Sequence, residues 1–122
     1  METEQINFWS GEFGKNYTDR NDHQSVEAWN QTYASLFGIS RFEMFKNLIG
    51  DLPKDSRILE VGCNVGFQLR GLQAMGFTNL YGIELQWYAV EKAKQQSQHI
   101  NIVQGSAFDI PFKDGACIEF SV

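Results

Sequence analysis

Glu60-Val61-Gly62-Cys63-Asn64-Val65-Gly66 is the stretch that decides the fold. It follows a short apolar run, Arg57-Ile58-Leu59, and leads into apolar residues at helical spacing. An acid with glycines two and six positions later reads as a strand end, a tight loop and a helix start. Gly62 lets the backbone turn and lets a ligand approach it, and Gly66 lets the following helix pack close to the strand. The helix start then offers free N–H groups and a partial positive charge to a carboxylate or phosphate. A dinucleotide-binding turn reads G-x-G-x-x-G. With Asn64 in the middle position and Phe67 in the sixth, that pattern fails twice. Taken alone, the loop also fits an ordinary glycine turn of an α/β protein.

Working outward, strand and helix alternate. The pattern predicts a strand over 57–61, a helix over 67–75 closed by Gly76, and a strand over 80–84. A helix over 87–97, a strand over 101–104, a loop through Pro111 and a last strand over 117–122 follow. Strands separated by helices imply crossover connections and a parallel sheet covered on both faces. Upstream, Trp29, Tyr33, Leu36 and Phe37 recur at helical spacing over 26–37, and Gly38 ends that helix. Ser40 with Glu43 three positions on is a capping box opening a second helix over 41–49. Phe42, Phe45, Leu48 and Ile49 form its expected buried stripe, and Gly50 and Pro53 stop it. Residues 1–25 are polar but carry Phe8, Trp9, Phe13 and Tyr17. Two readings stand for this arm: aromatics that cover core, or a lid over a ligand.

Length and composition bound the rest. The chain has 122 residues, 43% hydrophobic and 20% charged, which suits one soluble domain, residues 1–50 forming an arm with helices and 54–122 the sheet core. Its net charge is −5 and its ten Lys and Arg are scattered, which argues against nucleic acid as partner. No segment reads as a membrane span or as a secretory leader. Cys63 and Cys117 are the two cysteines, in no metal-binding pattern, which fits a reducing, cytoplasmic setting without structural zinc.

Two further features bear on chemistry. Glu84 ends the second predicted strand, 24 positions after Glu60. A carboxylate there, at the carboxyl edge of a parallel sheet beside the glycine loop, suits a ribose diol; the competing reading is a solvated acid at a strand end. Gly105-Ser106-Ala107-Phe108-Asp109 follows the third strand, where a side chain and a backbone amide reach an adenine edge, or simply form a local turn.

Together these pieces resemble the class I S-adenosylmethionine-dependent methyltransferases. Leu59 to Gly66 is similar to that family's first motif, with Asn64 where glycine is commoner. Tyr81-Gly82-Ile83-Glu84-Leu85 is similar to its second, and Val103-Gln104-Gly105-Ser106-Ala107 to its third. The run Phe8-Trp9-Ser10-Gly11-Glu12-Phe13-Gly14-Lys15-Asn16-Tyr17-Thr18-Asp19-Arg20-Asn21 resembles the methylases found with pseudaminic acid (nonulosonic acid) biosynthesis. The resemblance implies a Rossmann-like α/β core binding S-adenosylmethionine, with S-adenosylhomocysteine as product and a small metabolite or sugar as acceptor. It places Gly62 and Gly66 beside the methionine part, Glu84 on the ribose, Leu85 on the adenine and Ser106 and Ala107 at the adenine edge, with Glu60, Cys63 and Asn64 also among the cofactor-binding residues. From the arm, Tyr17 would face the sulfonium and Arg20 would pair with the ligand carboxylate.

The family sheet has seven strands with the fourth at its centre, and the resemblance therefore implies a chain truncated after strand four. An open strand-four edge is a template for another chain, so a homodimer through antiparallel pairing of those edges is expected. The alternatives to an active enzyme are a non-catalytic remnant that still holds the cofactor, and a different adenosine-ligand enzyme such as an NAD or nucleotide-sugar enzyme. No general base is evident: His23 and His99 lie outside the matched motifs.

Overall fold

The computed structural model of the chain describes residues 12, 15, 25–106 and the backbone of 118–121. Two helices, α1 (Val26–Phe37) and α2 (Arg41–Ile49), precede the sheet. The core then runs β1 (Arg57–Val61), α3 (Phe67–Ala74), β2 (Asn79–Glu84), α4 (Trp87–Gln96), β3 (Asn101–Gln104) and β4 (Ile118–Ser121). These bounds lie within about one residue of the expected ones. The sheet order is β3-β2-β1-β4 and every pairing is parallel. The register sets Glu60 opposite Gly82 and Glu84 opposite Gln104, so both acids sit at the carboxyl edge.

Local chemistry explains the boundaries. The Ser25 hydroxyl accepts from the Ala28 N–H at 3.0 Å and the Ser40 hydroxyl from the Glu43 N–H at 3.2 Å, which satisfies first-turn donors of α1 and α2. Gly38 ends α1 in the left-handed region at φ 75°. The core between sheet and helices holds Ile58, Leu69, Leu72, Phe77, Leu80, Val90 and Ala93, all buried.

The helical hairpin α1–α2 joins this core through Trp29, only 5% exposed. Its indole stacks on Phe67 of α3, centroids 6.4 Å apart, and tilts against Phe45 of α2 at 6.3 Å. Gly71 makes the approach possible, because a Cβ there would lie 2.8 Å from the indole ring. The expected stripes of the hairpin are corrected in part. Phe45 is fully buried, but Leu48 is 68% exposed, and Leu36 and Phe37 of α1 are 69% and 67% exposed. Helical spacing marks a face; it does not supply a neighbour to cover all of it.

Candidate functional site

The loop between β1 and α3 turns on three residues with positive φ: Gly62 at 77°, Asn64 at 51° and Gly66 at 88°. Asparagine tolerates this region better than most residues, so Asn64 stands where glycine would otherwise be needed. The loop is tied to the neighbouring strand. The N–H groups of Gly62 and Cys63 donate to the Ile83 carbonyl at 2.8 and 3.1 Å. A Cβ built on Gly62 would meet nothing within 4 Å, so the space over the loop is open.

Glu84 is fastened to that loop. Its Oε1 accepts from the Asn64 N–H at 2.9 Å and its Oε2 from the Gln86 N–H at 2.8 Å. A carboxylate offers about four lone-pair sites, so Glu84 keeps capacity to accept from a diol hydroxyl. Burial pushes the Glu84 carboxyl above its ordinary value, and the N–H donors of Gln86, Asn64 and Leu85 oppose the rise. The Gly105 N–H donates to the Glu84 carbonyl at 3.0 Å, which holds the segment after β3 beside the same strand end.

Glu60 lies under the loop, 2% exposed. Its Oε2 accepts from Gln68 Nε2 at 2.8 Å, and its buried Oε1 has no hydrogen-bond partner among the described residues. Its carboxyl is pushed up to about 8, first by burial and then by the Glu84 charge; the Gln68 bond and the Arg41 charge act the other way. A buried acceptor without a donor is costly, and a ligand ammonium there would satisfy it.

The structure thus brings Glu60, Gly62, Asn64, Gly66 and Glu84 together around one loop, with Leu85 and Ser106 at adjoining strand ends. The Cys63 side chain turns away into the core, where it is 4% exposed and faces Gly82. Burial raises its thiol well above the ordinary value, so only its backbone is offered to a ligand. Ala107, Tyr17 and Arg20 lie outside the described residues, as do His23 and the loop through Pro111. From the N-terminal arm, the Lys15 ammonium sits 5.1 Å from the centroid of the Tyr88 ring, in the first turn of α4. Gln68 and Gln86, which fix the two acids, carry no motif of their own; Gln68 shows in the sequence only as a polar residue in the apolar start of α3. Among the described residues, no cluster of His, Cys, Asp and Glu could hold a metal, and no helix is long and apolar enough to cross a membrane.

Residues 59–118 match the family model described as a methyltransferase domain. The core has the Rossmann-like fold of a class I methyltransferase. Geranyl diphosphate C-methyltransferase from Streptomyces coelicolor A3(2), crystallised with Mg2+, geranyl diphosphate and S-adenosyl-L-homocysteine, superposes with a TM-score of 0.65 at 16% identity, over 97% of this chain and 53% of that one. A methyltransferase of Haloferax volcanii in complex with the Trm112 methyltransferase activator gives 0.60 at 16% identity, over 88% and 44%. An S-adenosylmethionine-dependent methyltransferase from Mesorhizobium loti gives 0.52 at 18%, over 63% and 37%. The chain therefore spans about a third to a half of the length of these structures. No curated protein sequence matches it. In this methyltransferase fold the glycine loop and the two acids occupy the carboxyl edge of the sheet, where ligands of open α/β sheets bind.

Proposed function

We propose that this chain binds S-adenosylmethionine and belongs to an enzyme that transfers the methyl group to a small metabolite or sugar, releasing S-adenosylhomocysteine. The observation that carries this reading is the clasp between Glu84 and the glycine loop through Asn64. It sets a carboxylate against the glycine turn at the sheet edge, within a chain whose residues 59–118 match a methyltransferase domain. The cofactor supplies an electrophilic methyl on a sulfonium.

The residues of this chain bind and orient. Glu84 takes the ribose hydroxyls, Leu85 covers one face of the adenine, and Ser106 and Ala107 meet its edge. Glu60 and the turn of Gly62, Cys63, Asn64 and Gly66 hold the methionine end. Tyr17 and Arg20 close over that end from the arm. Holding a nucleophile in line with the methyl supplies much of the rate through proximity and orientation. The arm's likeness to nonulosonic-acid methylases points to an acidic sugar pathway for the acceptor. The fit to a cytoplasmic setting rests on the cysteine pattern.

The sheet order supports a homodimer. Among the described strands, β4 pairs with β1, and a strand edge that finds no partner is a template for a second copy. Light scattering after size exclusion distinguishes the two states, and a folded monomer at micromolar concentration overturns the dimer. Calorimetry with S-adenosylhomocysteine and NAD tests the cofactor. Binding of the first alone is expected; binding of NAD alone overturns the assignment. Methyl release with candidate sugars then separates a transferase from a non-catalytic holder of the cofactor.

A further inference from the structure

Trp29, Tyr33 and Phe37 stand four positions apart and form one stripe of α1. Burial fades along it: Trp29 is buried, Tyr33 half-buried and Phe37 67% exposed. Arg41, Met44 and Leu48 form a stripe of α2 that ends equally open at Leu48. Of the five large apolar residues that stand exposed among the described ones, four belong to this hairpin and its turn: Leu36, Phe37, Ile39 and Leu48. Exposed apolar residues gathered in one place mark an interaction surface, where scattered ones do not.

A cleft opens in this surface. Tyr33, Phe37, Ile39, Arg41 and Met44 line a volume of about 160 Å³. That is room for one ring or one branched side chain, since a cavity of about 150 Å³ holds benzene. Arg41 is the only charged residue of the lining. Its guanidinium lies 4.0 Å over the Tyr33 ring, which stacks in turn on Phe37 with centroids 5.6 Å apart. Its Nη1 donates to the Met44 sulfur at 3.3 Å, a weak acceptor, and its buried Nε has no hydrogen-bond partner among the described residues. A cation at the first position of a helix works against the helix dipole, so Arg41 does not serve α2 itself. A guanidinium held flat, with its donors poorly used, suits an incoming carboxylate.

We propose that this cleft docks a partner protein, which inserts one phenylalanine- or leucine-sized side chain and sets a neighbouring carboxylate on Arg41. Size and exposure favour a protein over a small metabolite. Small-molecule pockets span about 300–1,000 Å³ and enclose most of their ligand. This cleft is smaller, and its Phe37 wall is open; a protein closes such a wall with its own surface around one anchoring residue. Charge disfavours a second copy. A twofold contact sets a patch against itself, and this lining offers a cation and no acid to receive it. None of these residues is assigned to S-adenosylmethionine, so the proposal stands apart from the cofactor reading.

The test follows backbone amide shifts of the whole chain by NMR, with three acetylated and amidated dipeptides as probes: Phe-Glu, Phe-Lys and Gly-Glu. Phe-Glu is expected to shift amides within 33–44 and to bind about tenfold more tightly than either of the others, as a charge-assisted bond beside a filled cleft predicts. Arg41→Gln is expected to erase the preference for Glu over Lys. Phe37→Ser, at an exposed position, is expected to erase the preference for Phe over Gly, and it keeps the test open if Arg41→Gln does not fold. Equal binding of Phe-Glu and Phe-Lys, or shifts confined to other residues, overturns the proposal. Tighter binding of 3-phenylpropionate than of Phe-Glu overturns it in favour of a small acid. Light scattering settles the remaining occupant: a dimer of the unaltered chain that Phe37→Ser dissolves overturns it in favour of a second copy.

Discussion

The β-α-β core and the helical hairpin are built to different standards of closure. In the core, Ile58, Leu69, Leu72, Phe77 and Leu80 are at most 1% exposed, and each strand end is tied to the next by backbone bonds. In the hairpin, one residue of each helix is buried, Trp29 and Phe45, while Leu36, Phe37 and Leu48 face outward. A parallel strand is paired along its length and leaves its side chains nowhere to go but inward. A helix laid across another helix buries only the stripe that touches. The core is therefore held by many contacts of similar weight, and the hairpin by an indole.

That contrast is sharpest at Trp29. Trp29→Ala should destabilise the chain by about 3–5 kcal/mol, the usual cost of removing a large buried aromatic. Chemical denaturation measures the loss, and limited proteolysis should cut first within 26–49. A loss below about 1 kcal/mol would mean that the hairpin is seated by something other than the indole.

The second prediction lies in the core, at the buried Glu60 carboxyl, whose Oε1 has no hydrogen-bond partner among the described residues. Glu60 holds its proton to about pH 8 in the folded chain, whereas an unfolded glutamate releases it near about pH 4.3. The folded state binds more protons between those values, so this contribution to stability is complete below the lower one and is lost as pH rises toward the upper. Glu60→Gln should remove that loss. Its Tm is expected to exceed that of the unaltered chain at pH 8, by an amount on the order of a few kcal/mol in stability, and to match it near pH 4.5. Parallel Tm profiles for the two chains would show that Glu60 is ionised throughout.

Next in size is Glu84→Ala, expected to weaken S-adenosylhomocysteine about tenfold or more, near 1.4 kcal/mol. Titration calorimetry reads it, with circular dichroism to show that the loop survives the loss of the Asn64 and Gln86 bonds. Unchanged affinity in a folded variant would move the ribose elsewhere. Smallest is Leu48→Ser on the outer face of the hairpin, expected to change stability by no more than about 0.5 kcal/mol. A larger drop in unfolding free energy would reveal a neighbour over that face.

The same contrast marks what could be read in the sequence. Gly62, Gly66 and Gly76 punctuate the core so firmly that strand and helix limits fall within about a residue of expectation. The exposure of Leu48 was not legible, because periodicity shows which residues share a side of a helix and says nothing about what lies opposite. In the site, Glu60 and Glu84 stand out by their places at strand ends. Their holders do not. Gln68 meets Glu60 from the next helix, and such side-chain meetings across elements leave no spacing to find.

Gly71 and Trp29 are complementary shapes, one hollow and one plug, contributed by segments more than forty positions apart. Neither can drift alone. In related chains a bulkier residue at the first position should travel with a smaller ring at the second, so that the pair varies as a unit. In a double-mutant cycle, Gly71→Ala combined with Trp29→Phe should cost less than the two single changes added together.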